Sequence, residues 1–193
     1  MASSVSCINL GGMEPVEINA GAYYLRQLRA DDRIDDRKAL VDGYADPELR
    51  RWLIGNAILD FDGATRFVAE RTQQWHTEQR FSWAIAEPTT GELIGEVGLK
   101  VIDPIGRTAE VGCWTRYDLR GKGLMTTSLG AALRFGFGGL ELHRIEYRHA
   151  AGNVSSERVA RKCGFSLDGR LREAMVVDGA RHDLLLWSRL ATD

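Results

Sequence analysis

Residues 118–128 read DLRGKGLMTTS, between a short apolar run, EVGCW (110–114), and a longer helix-like one, SLGAALRFGF (128–137). Gly121 and Gly123 flank Lys122 directly after Arg120, and Thr126, Thr127 and Ser128 follow. A helix N-terminus presents unpaired backbone N–H groups and the positive end of the helix dipole, so such a corner binds an anion without needing a side-chain charge. The glycines remove side chains that would hold the anion away, while Arg120, Lys122 and the hydroxyls add charge and donors. The alternative is a tight strand-to-helix turn with solvated basic residues. Neither common phosphate motif fits: a Walker A loop needs a Lys followed by Ser or Thr, and Lys122 precedes Gly123; a dinucleotide fingerprint needs a third glycine where Thr126 stands.

Outward from this corner, TAEVGCWTRYD (108–118) alternates as a strand, with Val111 and Cys113 on one face and Glu110, Gly112 and Trp114 on the other. The spacing of Met125, Leu129, Ala132, Leu133 and Phe137 predicts a helix from Leu124 to Gly136 or Phe137. HRIEYRHA (143–150) returns to strand alternation, completing a β-α-β unit. Upstream, FSWAIAE (81–87) and ELIGEVGLKVI (92–102) form a hairpin through the turn PTTG (88–91). Before it, ATRFVAERTQQW (64–75) buries a stripe of Phe67, Val68, Arg71 and Trp75. A short strand in AYYLRQLRADD (22–32) leads to a helix start at Asp31 or Asp32, with the acidic run RADDRIDDRK (29–38) on a solvated helix face. Downstream, SSERVARKCGF (155–165) is a helix capped by Ser155 or Ser156 and ended by Gly164. REAMVVDGARHDLLLWSRL (172–190) is two strands around an Asp-Gly turn. The class is α+β, a mixed sheet with antiparallel hairpins on both sides of one parallel unit.

The 193 residues, 44% hydrophobic and 27% charged, suit one globular domain over residues 22–193 behind a loose leader, 1–21. A net charge of -2 offers no general attraction to nucleic acid or an anionic membrane, so phosphate binding must be local. No apolar run approaches the roughly 20 residues that span a bilayer, and MASSVSCINLGGMEP has no signal-peptide pattern, so a cytoplasmic protein is expected. Cys7, Cys113 and Cys163 are an odd, scattered set, arguing against disulfides and a zinc knuckle. His143 and His149 are too far apart to chelate together, and no metal is expected.

The corner, extended as DLRGKGLMTTSLGAALRFGF, resembles motif A of the GNAT N-acetyltransferases, R/Q-x-x-G-x-G/A. NVSSERVARKCGF (153–165) resembles the N-x-x-S-x-x-V/A-x-K/R-x-G-F segment of their RimJ/RimL-like branch, and DGRLREAMVVDGARHDLLLWSRL (168–190) resembles that branch's closing strands. The similarity runs from about Tyr24 to Leu190. It implies the GNAT fold: a twisted, mostly antiparallel sheet whose two central strands splay to admit acetyl-CoA or another acyl-CoA. The loop Arg120, Gly121, Lys122, Gly123, Leu124, Met125 and Thr126 would then bind the pyrophosphate. Backbone groups of Cys113, Trp114 and Thr115 would pair with the pantetheine arm, and Asn153 would hold the cofactor from the other side. Met125 departs from the motif's G/A position, which implies a repacked site.

The implied reaction moves acetyl to a primary amine, on a small molecule or a protein N-terminus, with no nucleic acid or membrane partner and a homodimer left open. Other readings keep the fold and change the donor to another acyl-CoA, a carrier protein or an aminoacyl-tRNA, or leave a non-catalytic acyl-CoA sensor. Ser156 aligns with the branch's serine near the thioester sulfur and is the candidate acid, the alternative being a helix cap. Glu110, on the face of Gly112 and Trp114, is the candidate base, the alternative being an ion-paired carboxylate. The branch's acidic residue is replaced by Met175, and Glu173, on the same strand face, is a substitute. Cys163 reads as packing, and Cys113 as a buried strand residue. Trp52 either lines an acceptor pocket or joins Trp75, Trp83 and Trp114 in the core.

Overall fold

The protein, a computed structural model, is described for residues 13–52, 58–177 and 179–193. In chain order the elements are β1 Ile18–Asn19, β2 Tyr24–Arg26, α1 Arg37–Tyr44, α2 Pro47–Trp52, α3 Phe61–His76, β3 Arg80–Ala86, β4 Leu93–Asp103, β5 Thr108–Thr115, α4 Leu124–Arg134, β6 Arg144–Ala150, α5 Val154–Lys162, β7 Ser166–Val177 and β8 Ala180–Leu190. The strands form one eight-stranded sheet in the order β1-β2-β3-β4-β5-β6-β8-β7. Every neighbouring pair is antiparallel except β5 with β6. The β3–β4 hairpin turns at Gly91, whose φ of 73° suits glycine.

Helices cover both faces, and the burial of β3 and β4 shows it. Phe81, Trp83, Ile85, Val97, Leu99, Val111 and Ile145 pack with Leu129 and Leu133 of α4. Ala84 and Trp114 pack instead with Leu40 and Tyr44 of α1 and Val68 of α3. Strands buried on both sides lose clean alternation and read as apolar runs. Leu129 is fully buried, which stabilises the fold by about 2 kcal/mol. On the second face, α1 lies so close to Trp114 that a Cβ on Gly43 would stand 2.7 Å from its ring.

Several boundaries differ from the sequence reading. The first helix starts at Arg37 rather than Asp31 or Asp32. Asp31 accepts from the N–H groups of Arg33 (2.9 Å) and Ile34 (3.2 Å) and closes a turn. The expected acidic helix face is therefore mostly loop, and Asp36 is buried, receiving Arg26 through both terminal nitrogens at 2.8 and 2.7 Å. Within the expected leader 1–21, residues 1–12 lie outside those described, while Ile18 and Asn19 pair with β2. The helix after the glycine corner ends at Arg134 and passes into a π-helical turn, Phe135–Gly139. Asn153, not Ser155 or Ser156, caps α5, its side-chain oxygen accepting from the Ser156 N–H at 3.0 Å. Gly164, at φ 77°, ends that helix as expected. β7 begins at Ser166, upstream of the expected start, and Asp178 of the Asp-Gly turn lies outside the described residues.

Candidate functional site

β5 and β6 are the only parallel neighbours among the described strands, and they pair only at Thr108 with Arg144, Ala109 with Ile145 and Glu110 with Glu146. Beyond Glu110, β5 runs on to Thr115 against β4, and beyond Glu146, β6 runs on to Ala150 against β8. The two strands thus part after the third pair, and the backbone of 111–115 faces a gap. A cleft of about 490 Å³ opens there, lined by Trp114, Gly123, Tyr147, Asn153 and Ser156 among others.

The glycine corner stands at one end of this cleft. Gly121 (φ 76°) and Gly123 (φ 83°) are both left-handed, a conformation that costs an ordinary residue roughly 1–2 kcal/mol. A Cβ on either would meet nothing within 4 Å. Backbone conformation therefore demands the glycines, and the open space over them is what an anion could occupy. Gly123 caps α4 without a side-chain hydrogen bond, and the first helical bond runs from the Thr127 N–H to the Gly123 carbonyl at 3.0 Å. Among the described residues no acceptor meets the N–H groups of Gly121 through Thr126. These orphan donors at the positive end of α4 form a nest for an anion.

The structure brings together most residues singled out from the sequence. Cys113, Trp114, Thr115, Arg120, Gly121, Gly123, Leu124, Met125, Thr126, Asn153, Ser156 and Glu110 all border the cleft, whereas Lys122 is exposed and does not. The Leu124 and Met125 side chains turn into the core, so Met125 leaves the helix start free and offers the cleft its backbone. Arg120 is held across the cleft mouth by Asp46, whose carboxylate also accepts from the N–H groups of Glu48 and Leu49 at the start of α2. Trp52 borders the cleft on that side, donating to Glu48 at 2.8 Å and standing edge-on to His182.

Glu110 is an ion-paired carboxylate, 2.8 Å from Lys100 and 3.7 Å from Arg148. Glu173 fails as a substitute acid. The β7–β8 register shifts between Leu171 and Met175, and Glu173 sits at φ 51° with its N–H bound to Asp183, outside the cleft. The bulge breaks the alternation on which the shared face relied. Met175 itself is buried and borders the cleft.

Across the gap, the Cys113 thiol lies 3.4 Å from the Tyr147 hydroxyl. Burial pushes the Tyr147 hydroxyl well above its ordinary range, with a smaller opposing influence from a hydrogen bond with Ser156. Burial also raises the Cys113 thiol, and it pushes Cys163 up to about 11, so both stay protonated and poorly nucleophilic. His149, on the same strand as Tyr147, is locked neutral: Nδ1 bonds the Ala150 carbonyl at 2.9 Å and Nε2 accepts from Trp187 at 3.0 Å. Burial lowers its pKa.

Sequence reasoning missed Glu96, which is 2% exposed at the cleft floor. It accepts from Arg71 (3.0 Å), Arg80 (3.3 Å) and the Trp114 indole (3.2 Å). Burial drives its pKa up, but the Arg80 and Arg71 charges outweigh that and hold it below the ordinary carboxylate range. The available signal was a single charged residue between Gly95 and Gly98 within the otherwise uncharged run from Leu93 to Leu99.

Comparison with known proteins agrees with this geometry. The model of the acetyltransferase (GNAT) domain matches residues 24–166. The ribosomal-protein-serine acetyltransferase of Escherichia coli is 32% identical over 99 residues, 51% of this chain and 55% of that protein. The spermidine N(1)-acetyltransferase of Vibrio cholerae is 32% identical over 109 residues, 56% of this chain and 61% of that protein. The chain thus spans little more than half the length of these curated relatives. The solved structure of Mycobacterium smegmatis RimJ in complex with CoA-disulfide superposes with a TM-score of 0.79 at 25% identity, over 93% of this chain and 87% of that one. By the domain match over most of its length and the split sheet that accompanies it, the chain belongs to the GNAT family of acetyltransferases.

Proposed function

We propose that the protein is an N-acetyltransferase that moves acetyl from acetyl-CoA to a primary amine on a protein N-terminus or a small molecule. The observation that carries this reading is the nest of open N–H groups from Gly121 to Thr126 at one end of the β5–β6 split. That nest would hold the pyrophosphate, and the edge of 111–115 that faces the gap would take the pantetheine arm as an added strand. The amine nitrogen attacks the thioester carbonyl, a C–N bond forms, the C–S bond breaks, and the proton that nitrogen loses ends on sulfur. A gap-side N–H near Cys113 and Trp114 would stabilise the developing oxyanion. Ser156 is the acid toward the departing sulfur: the cap uses only its backbone N–H, and its hydroxyl hydrogen-bonds with Tyr147 at the cleft. Glu110 is already engaged by Lys100 and Arg148, which favours its ion-paired role over that of a base.

Calorimetry with coenzyme A tests the donor site, and thiol release from acetyl-CoA over an amine panel tests the reaction. Binding is expected in wild type and lost in Gly123→Glu, which places a carboxylate against the anion. Equal affinity of the two proteins would refute the pyrophosphate site, and binding without thiol release for any amine would make the chain a sensor.

A further inference from the structure

On the face covered by α1 and α3, Gly98 of β4 stands opposite Gly112 of β5, leaving a bare strip of sheet. The Arg80 guanidinium lies against it: a Cβ on Gly112 would be 3.1 Å from its Nη2 and 3.6 Å from its Cζ. Arg80 Nε donates to the Ser82 hydroxyl at 2.6 Å and Nη2 to Glu96 at 3.3 Å. Arg71 Nε reaches the same Glu96 oxygen at 3.0 Å, and its Nη1 donates to Gln74 at 3.0 Å. The other Glu96 oxygen is taken by Trp114. One buried carboxylate therefore serves two guanidinium groups whose side chains are only 13% and 15% exposed.

The neighbouring charges do not make up the difference. Lys100, Glu110, Arg148 and Glu146 pair among themselves. Glu70, 3.6 Å from Arg71, is 58% exposed, and Glu48 is exposed at the rim. Water and salt screen these two, and screen the enclosed guanidinium groups far less. Among the described residues Arg80 Nη1 and Arg71 Nη2 have no hydrogen-bond partner, and both arginines line the cleft. An enclosed cation short of an anion is unfavourable, and burial pulls the Arg80 pKa down. A ligand carboxylate entering the cleft would relieve that deficit with charge-assisted bonds.

We propose that this arginine pair selects the acceptor: the substrate amine carries a carboxylate, received by Arg80 with Arg71 at the cleft floor while the nitrogen faces the β5–β6 split. This rests on the acetyl-transfer reading above. The carboxylate belongs either to an acidic side chain close to a peptide N-terminus or to a free amino acid. A polycation is the wrong substrate, although spermidine is the acceptor in the names of three relatives.

The experiment measures kcat/KM by thiol release from acetyl-CoA. One arm pairs peptides differing only by Asp against Asn, or Glu against Gln, at the second and third positions. The other pairs free aspartate with asparagine and glutamate with glutamine, and spermidine serves as the cationic control. At least a tenfold preference for acid over amide is expected in one arm, with spermidine below both. In Arg80→Gln the acid-to-amide ratio falls toward one, while Arg80→Lys keeps part of it. The ratio is read within one preparation, so partial misfolding cancels, and Arg71→Gln provides a second variant. A wild-type ratio at or below one, spermidine as the better acceptor, or a ratio unchanged in both glutamine variants overturns the inference and leaves acetyl transfer standing. Absence of turnover with every amine overturns both.

Discussion

Replacing Glu96 with glutamine tests whether the cleft floor is held by charge. The wild-type carboxylate, 2% exposed, receives three N–H donors from Arg71, Arg80 and Trp114. The amide of Glu96→Gln would keep one carbonyl acceptor but turn an NH2 toward a donor and leave two enclosed guanidinium groups without an anion. Removing one partner from a buried ion pair costs about 3–5 kcal/mol. The remaining carbonyl argues for the low end, about 3 kcal/mol, which for a chain of this size lowers Tm by roughly 6–12 °C. Urea unfolding followed by tryptophan fluorescence measures it directly, with an unchanged m value showing that stability alone has moved. The pH dependence has a definite sign. A carboxyl whose folded pKa lies below its unfolded value adds stability above the unfolded value, here ordinarily 4.5, and loses it as pH falls through the lower folded one. The gap between wild type and Glu96→Gln should therefore be constant near neutrality and close in acid. A variant within about 1 kcal/mol of wild type at neutral pH, or a gap that does not close in acid, refutes the picture of an enclosed carboxylate bridging two arginines.

Three further outcomes follow from the geometry. Gly123→Ala should lower the stability of the ligand-free protein by about 1 kcal/mol, the left-handed penalty less the entropy gain in the unfolded chain. An unchanged melting temperature without ligand would mean that conformation is not what keeps glycine there. His149→Phe leaves the Trp187 indole N–H without its acceptor, costing about 1–3 kcal/mol at mildly alkaline pH. Because the folded pKa of His149 is lowered, its contribution is present above the ordinary 6.5 and lost as pH falls through the folded value, so the variant should lack that part of the acid loss. Finally, with Cys113 and Cys163 held as thiols by burial, initial-rate lines for acetyl-CoA and amine should intersect; parallel lines, or an acetylated cysteine by mass spectrometry, would refute direct attack and show a covalent intermediate.

The β-α-β unit was legible because its signals are local. Alternation in 108–115 and 144–150, the 3.6-residue stripe of Leu129 and Leu133 and the two glycines each report on a few adjacent residues. The same local logic failed where a side chain was spent on a distant partner. α1 starts at Arg37 rather than near Asp31, and the carboxylate of Asp36 just before it is spent on Arg26 and the Arg29 N–H instead of on the helix end. Asn153 capped α5 in place of the serines, which sequence spacing alone could not separate. The supposed face shared by Glu173 and Met175 dissolved at a bulge, whose position depends on the pairing of β7 with β8.

By itself the sequence determined the glycine corner, its helix and the strands around it, and with them the candidate anion site at the start of α4. Backbone conformation and periodicity are set by neighbouring residues and need no knowledge of the rest of the chain. Only the tertiary structure decided where the charge of the site resides. Arg71, Arg80, Glu96 and Trp114 come from one helix and three strands, and they meet because β3, β4 and β5 pair in a register that puts Glu96 opposite Trp114 and Gly98 opposite Gly112. Electrostatic balance in an enclosed cleft depends on which groups are brought within a few ångströms and shielded from water. That is a property of sheet register and helix packing, which no single segment carries.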